Sequence, residues 1–126
     1  AGVTPLLGRT GYSASKHAMH GFFTSLRAEL KLTGVHVLIV CPGFVETNLQ
    51  TRALGGDGNV TDRPQTTIGK QATAESVADA IYRAAVKRKR LLVLTPMGKV
   101  GYWISRVAPG TYEWIMARQF RSELDQ

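Results

Sequence analysis

At 126 residues the chain is long enough to bury one hydrophobic core and too short for two ordinary domains. A hydrophobic share of 44% with 20% charged residues excludes a disordered tail, and no stretch approaches the ~20 consecutive apolar residues of a membrane span. The net charge of +7 would suit an acidic partner or a phosphorylated cofactor, but no nucleic-acid-binding motif accompanies it, so no nucleic-acid partner is expected.

The opening residues, Ala1-Gly2-Val3-Thr4-Pro5, have neither the charged nor the apolar region of a signal peptide. A single cysteine, Cys41, allows no internal disulfide and no thiolate metal cluster. Together these lead us to expect a cytoplasmic location and no metal site. Val3 to Arg9 reads as a loop, and a helix is expected over 10–33, with Thr10 as its N-cap and Gly34 as a left-handed C-terminal cap. Ala14, Ala18, Met19, Phe22, Phe23, Leu26 and Leu30 recur at three and four as an apolar stripe. Lys16, His20, Thr24, Arg27 and Lys31 form the opposite stripe.

This helix opens on Gly11-Tyr12-Ser13-Ala14-Ser15-Lys16. At ~3.6 residues per turn Tyr12 and Lys16 share a face, one turn apart. A cation held there favours phenolate over phenol, so a tyrosine with an ordinary pKa of ~10 can exchange a proton nearer neutral pH. Taken alone, such a pair is more often solvated helix decoration. His17 and His20 stand three apart with no third ligand nearby and read as surface or packing histidines, because a zinc site needs three or four converging ligands. The nearly continuous apolar run Val35-His36-Val37-Leu38-Ile39-Val40-Cys41 predicts a parallel strand over 35–41 covered on both faces. Pro42-Gly43-Phe44-Val45-Glu46-Thr47 follows at its C-terminal end, where ligands bind in open α/β sheets.

The run from Tyr12 to Thr47 resembles the C-terminal half of a short-chain dehydrogenase/reductase. A Tyr-x-x-x-Lys with small Ser-Ala-Ser filling opens a helix, and a Pro-Gly turn with a following Thr comes after the next strand. The resemblance implies an α/β fold, the C-terminal part of a Rossmann-like doubly wound parallel sheet with two strands plus helices. It also implies that the glycine-rich dinucleotide-binding half, and a serine that helps bind the substrate carbonyl, would precede Ala1 and are absent from the chain as given. The function it implies is an NAD(P)-dependent oxidoreductase, with NAD or NADP as cofactor and a small-molecule carbonyl or alcohol as substrate. Tyr12 would be the acid/base, and Lys16 would hold the ribose hydroxyls and lower the Tyr12 pKa. Pro42, Gly43, Val45 and Thr47 would bind the nicotinamide side of the cofactor. In that family the tyrosine helix packs against its copy, which implies a homo-oligomer.

The cofactor turn and a substrate loop are expected over 42–72, with Leu49 to Ile68 rich in Gly, Asp, Asn and Thr. A second helix is expected over 73–90, capped by Thr73, with Val77, Ala80, Ile81 and Ala84 as its buried stripe and Lys87-Arg88-Lys89-Arg90 at its end. A short strand over 91–95 is expected to end at Pro96. The segment 97–126 departs from the plain family pattern by its length. Its aromatic and apolar residues predict two short amphipathic helices broken at Pro109-Gly110. Packing over the substrate loop or a partner subunit is preferred to membrane contact for this segment.

The whole, 1–126, is read as a single partial domain. Two other readings stand beside the enzyme: a noncatalytic remnant or association module pairing through the Tyr12 helix, and an anionic-membrane or nucleic-acid binder acting through Lys87 to Arg90.

Overall fold

The computed structural model describes residues 2–4, 7–46, 52, 58–60 and 71–119. Helix α1, Thr10–Glu29, runs into a single 3-10 turn at Leu30–Leu32, and Gly34 follows in the left-handed region at φ +78. Strand β1 is Ile39–Cys41, helix α2 is Ala74–Val86, and strand β2 is Leu91–Val93. Helices α3, Pro96–Val107, and α4, Pro109–Gln119, complete the described chain. β1 and β2 pair in parallel, with Ile39 opposite Leu91, Val40 opposite Leu92 and Cys41 opposite Val93. Parallel neighbours need a long crossover, and the chain from Pro42 through α2 supplies it. The result is a small α/β unit, part of a Rossmann-like fold.

Both strands are shorter than the apolar runs predict. The strand expected over 35–41 begins only at Ile39, whose N–H reaches the Arg90 carbonyl at 3.2 Å. Before that point its neighbour is still turning: Arg88 has φ +49, and the Arg88 and Lys89 amides fold back onto the carbonyls of Ala85 and Ala84. Val35 to Leu38 therefore run past the end of β2 without ladder pairing to it. The strand expected over 91–95 stops at Val93, because Thr95 turns out of the sheet to cap α3 and Pro96 opens that helix rather than ending a strand. An apolar run sets the longest strand available, and the partner sets the length used.

Helix α2 begins at a working cap: Thr73 Oγ1 accepts the Ser76 N–H at 3.2 Å. Val77, Ala80 and Ile81 are half-buried and Ala84 fully buried, so its apolar stripe faces the chain. The Thr10 cap expected for α1 is not formed. Arg9 occupies that position with no side-chain capping bond, and Thr10 is the first helical residue.

The inward face of α1 also differs from its apolar stripe. Ser13 is buried and Lys16, His20 and Arg27 are half-buried, together with Phe23, Leu26 and Leu30, whereas Ala14, Ala18, Met19 and Phe22 are exposed. Polar anchors turn the helix this way. The Arg27 guanidinium donates from Nε to the Val37 carbonyl at 3.1 Å and from a terminal nitrogen to the Arg90 carbonyl at 2.8 Å. These bonds tie α1 to the segments that lead into both strands.

α3 and α4 meet across a break at Ala108. Tyr112 and Met116, one turn apart on α4, are buried, and α3 also rests on β2. α3 is strongly amphipathic, but α4 carries no clear apolar face of its own, so its burial rests on those two side chains.

Candidate active site

Tyr12 lies in the first turn of α1 and is half exposed. Lys16 Nζ stands 5.3 Å from the centre of its ring. The backbone beneath the pair is pinned twice over. Ser15 Oγ donates to the Tyr12 carbonyl at 2.8 Å, and His17 Nδ1 donates to the Ser13 carbonyl at 2.9 Å. Gly2 lies across the inward side of the same helix, where a Cβ would come within 3.2 Å of His20 Cδ2 and 3.4 Å of Lys16 Cβ. The ammonium thus has its stem covered while the tyrosine ring stays accessible, an arrangement suited to proton exchange with a small molecule.

One turn beyond Lys16, His20 makes the contact that joins this face to the sheet: its Nε2 is 3.5 Å from Cys41 Sγ. Burial lowers the His20 pKa from its ordinary 6.5, and the charges of His17, Arg106 and Arg27 lower it further. Burial raises the Cys41 thiol above its ordinary 9.0, so it is a packing group and not a ready nucleophile. Cys41 is the last residue of β1, and Pro42 and Gly43 follow it directly. The helix face that carries Lys16 and His20 therefore meets the strand at the end that bears the Pro-Gly turn.

The turn is held on two sides. Val45 forms a parallel bridge with Ala72, in which the Ala72 N–H donates to the Phe44 carbonyl and the Glu46 N–H donates to the Ala72 carbonyl, both at 2.9 Å. In such a bridge the flanking residues take both bonds, so the N–H and C=O of Val45 itself point to the opposite edge. An amide so directed fits a carboxamide acceptor. Gly43 has a different neighbour from the one its place in the turn suggests: a Cβ there would collide with the Thr95 methyl group. Its missing side chain makes room for Thr95. Thr47, the last of the sequence-predicted site residues, lies outside the described residues, as does most of the expected substrate loop.

A surface hollow of about 200 Å³ lined by Ala80, Arg83, Ala84, Lys87, Lys89 and Leu92 contains none of these residues. Among the described residues no group of three or more His, Cys, Asp or Glu could hold a metal ion, and no helix is long and apolar enough to cross a membrane.

Residues 1–56 match the family model described as short chain dehydrogenase, the region that holds both the Tyr12–Lys16 pair and the Pro-Gly turn. That part of the chain is similar to the short-chain dehydrogenase/reductase family. It is 34% identical over 112 residues to a dehydrogenase/reductase SDR family protein 7-like from Anopheles gambiae, covering 88% of this chain and 35% of that protein. A protein of the same description from Drosophila melanogaster is 33% identical over 112 residues, 88% of this chain and 34% of its own length. Dehydrogenase/reductase SDR family member 7B from Mus musculus is 34% identical over 116 residues, 91% of this chain and 36% of that protein. The chain thus spans about a third of the length of the curated relatives it matches. No solved structure matches it. Since a match over 112 residues cannot stop at β2, the similarity to these relatives runs on into the C-terminal helices.

Two residues that shape the site were not singled out for it by sequence pattern. His20 carried a usable signal, its spacing of four from Lys16. Thr95 carried none, because its role depends on a glycine in another element.

Proposed function

We propose that the chain carries the proton-transfer and nicotinamide-side residues of an NAD(P)-dependent oxidoreductase acting on a small carbonyl/alcohol pair. The observation that carries this reading is the inward face of α1: Lys16 Nζ stands 5.3 Å from the Tyr12 ring, and His20, one turn on, touches the residue before the Pro-Gly turn. A nicotinamide bound against that turn supplies or accepts the hydride. The Tyr12 hydroxyl gives its proton to the carbonyl oxygen in reduction and takes it back in oxidation. Lys16 sets an ammonium beside the ring, so the charge that develops on the phenol oxygen forms next to a cation. It also reaches out to the ribose hydroxyls. Val45 offers its outward main-chain amide to the carboxamide, Pro42 fixes the direction of the turn, and Thr47 is the further residue assigned to the cofactor. In this reading Gly43 keeps the turn close to its Thr95 support.

The chain is further read as a homo-oligomer that pairs through α1, because Ala14, Ala18, Met19 and Phe22 expose an apolar stripe on the side away from the site. The decisive experiment is a titration with NADPH and NADH followed by nicotinamide fluorescence, on the wild-type chain and on Lys16→Ala. Binding of one nucleotide, weakened about tenfold in the variant, is the expected result, of the size of one lost charge-assisted contact. A folded, monodisperse sample that binds neither would end the oxidoreductase reading for this chain.

A further inference from the structure

Thr95 stands at the junction of β2, α3 and the Pro-Gly turn. As the N-cap of α3, its Oγ1 accepts the Gly98 N–H at 3.1 Å, while its carbonyl accepts the Lys99 N–H at 3.0 Å. Glycines flank its side chain. On one side a Cβ at Gly43 would collide with the methyl carbon Cγ2. On the other, a Cβ at Gly98 would lie 2.7 Å from Oγ1 and 3.1 Å from Val93 Cγ1.

Neither glycine is required by its backbone. Among the described residues, positive φ occurs only at Gly8, Gly34, Gly58 and Arg88, so alanine could adopt the main-chain conformation at 43 and at 98. At 43 the threonine excludes it, and at 98 the threonine together with Val93 does.

A threonine has one χ1 torsion for both of its branches, and that torsion is stiff. While Oγ1 stays on the Gly98 amide, Cγ2 must stay over Gly43. The methyl group cannot swing aside without uncapping α3. The height of the turn at Gly43 is therefore set by the cap of a helix that lies beyond the sheet. Two residues on, Val45 is held from its other edge by Ala72.

We propose that Thr95 is a positioning residue for the cofactor turn, coupling the start of α3 to the placement of Pro42 to Val45. The inference rests on reading that turn as the nicotinamide face. It assigns the C-terminal helices a part in the site that does not depend on their touching substrate.

The test is a cycle of variants in the full chain: Gly43→Ala, Thr95→Ser, Thr95→Val, and Gly43→Ala combined with each. Serine keeps the capping oxygen and removes the methyl, whereas valine keeps the methyl and removes the cap. Gly43→Ala alone should lower the melting temperature and weaken NADPH or NADH binding about tenfold or more, as a displaced binding group does. Adding Thr95→Ser should restore both, and adding Thr95→Val should restore neither. Additive melting losses in the Ser double variant would overturn the coupling. Recovery in melting with nucleotide affinity constant throughout would overturn the positioning role and leave a purely structural contact. A wild-type chain that binds neither nucleotide would overturn the nicotinamide reading instead. The coupling would then be decided by melting alone, supported by recovery in the Ser double variant and refuted by additivity.

Discussion

α1 and α2 are both patterned with an apolar stripe, and the chain orients them in opposite ways. In α2 the stripe of Val77, Ala80, Ile81 and Ala84 faces the chain, and the charged residues face water, where Asp79 and Arg83 form an exposed ion pair at 3.8 Å. In α1 Ala14, Ala18, Met19 and Phe22 of the stripe face away, and the inward side carries Ser13, Lys16, His20 and Arg27 beside Phe23, Leu26 and Leu30. The Phe22–Phe23 pair, edge to face at 5.1 Å, straddles the boundary, one ring exposed and the other half-buried. The difference follows from what each helix bonds to. In α1 His20 meets Cys41 and Arg27 holds the Val37 and Arg90 carbonyls, so polar side chains turn inward while Ala14, Ala18, Met19 and Phe22 are left exposed. α2 packs as an ordinary amphipathic helix does.

The largest contrast between the two should come from the same charge placed on each stripe. Ala84 is 3% exposed, and Ala84→Asp forces a carboxylate in against Ala80 and Leu92, which should cost ~2 kcal/mol even with Arg83, Lys87 and Lys89 lining the same hollow, and should appear as a lowered urea midpoint. Phe22, at 63% exposed, should tolerate Phe22→Asp within ~0.5 kcal/mol in the same measurement. The variant should instead lower the sedimentation mass if α1 pairs with its copy. Equal destabilisation by both would show that the outer side of α1 is covered from within the chain, and the contrast would fail.

A smaller effect tests what holds α1 in its orientation. Arg27→Met keeps most of the apolar stem and removes both bonds to the Val37 and Arg90 carbonyls. The expected loss is ~1–2 kcal/mol, because one of the two bonds is solvent-exposed. Arg27→Lys should fall between, since a single ammonium cannot reproduce the fork to two carbonyls on different segments. If Arg27→Met unfolds at the wild-type urea midpoint, the orientation of α1 is set by packing and not by its polar anchors.

These contrasts also show what was legible beforehand. The Tyr12–Lys16 spacing and the Thr73 cap are local: each depends on residues within one or two turns, and helix periodicity is enough to place them. Periodicity divides a helix into faces without naming the neighbour of either, so the stripe on α1 could be read and its direction could not. The strands failed differently. Val35 to Cys41 has the composition of a seven-residue strand, yet pairing starts only at Ile39, because the chain leading into β2 is still turning at Arg88. Gly43 shows the limit most clearly. The space left by its missing side chain is taken by the methyl of Thr95, a contact between elements that no local pattern encodes. The lone Thr10 cap failed for a simpler reason: the helix begins one residue earlier in the chain than its capping hydroxyl requires.

The smallest effect, and the one that reads the inward face of α1 most directly, is the pH dependence of stability. His20 is protonated less readily in the folded chain than in the unfolded one, chiefly through burial and then through His17, Arg106 and Arg27. Below its ordinary value of 6.5 the unfolded state therefore holds more protons, and stability must fall as pH drops through 6.5 toward the depressed folded value. Its neighbour Cys41 behaves in the opposite sense. Its folded pKa is raised above 9.0 by burial, so the folded state holds more protons above that pH and stability falls as pH rises past it. The contact of the two should thus leave a plateau bounded on the acid side by the histidine and on the alkaline side by the thiol. Urea midpoints measured from pH ~5 to pH ~10 would map it. His20→Gln should flatten the acid limb and leave the alkaline one, and Cys41→Ser should do the reverse. Had His20 faced solvent, as a residue opposite an apolar stripe ordinarily does, its substitution would leave the acid limb unchanged. That outcome would return α1 to the orientation of α2 and remove the support under Lys16.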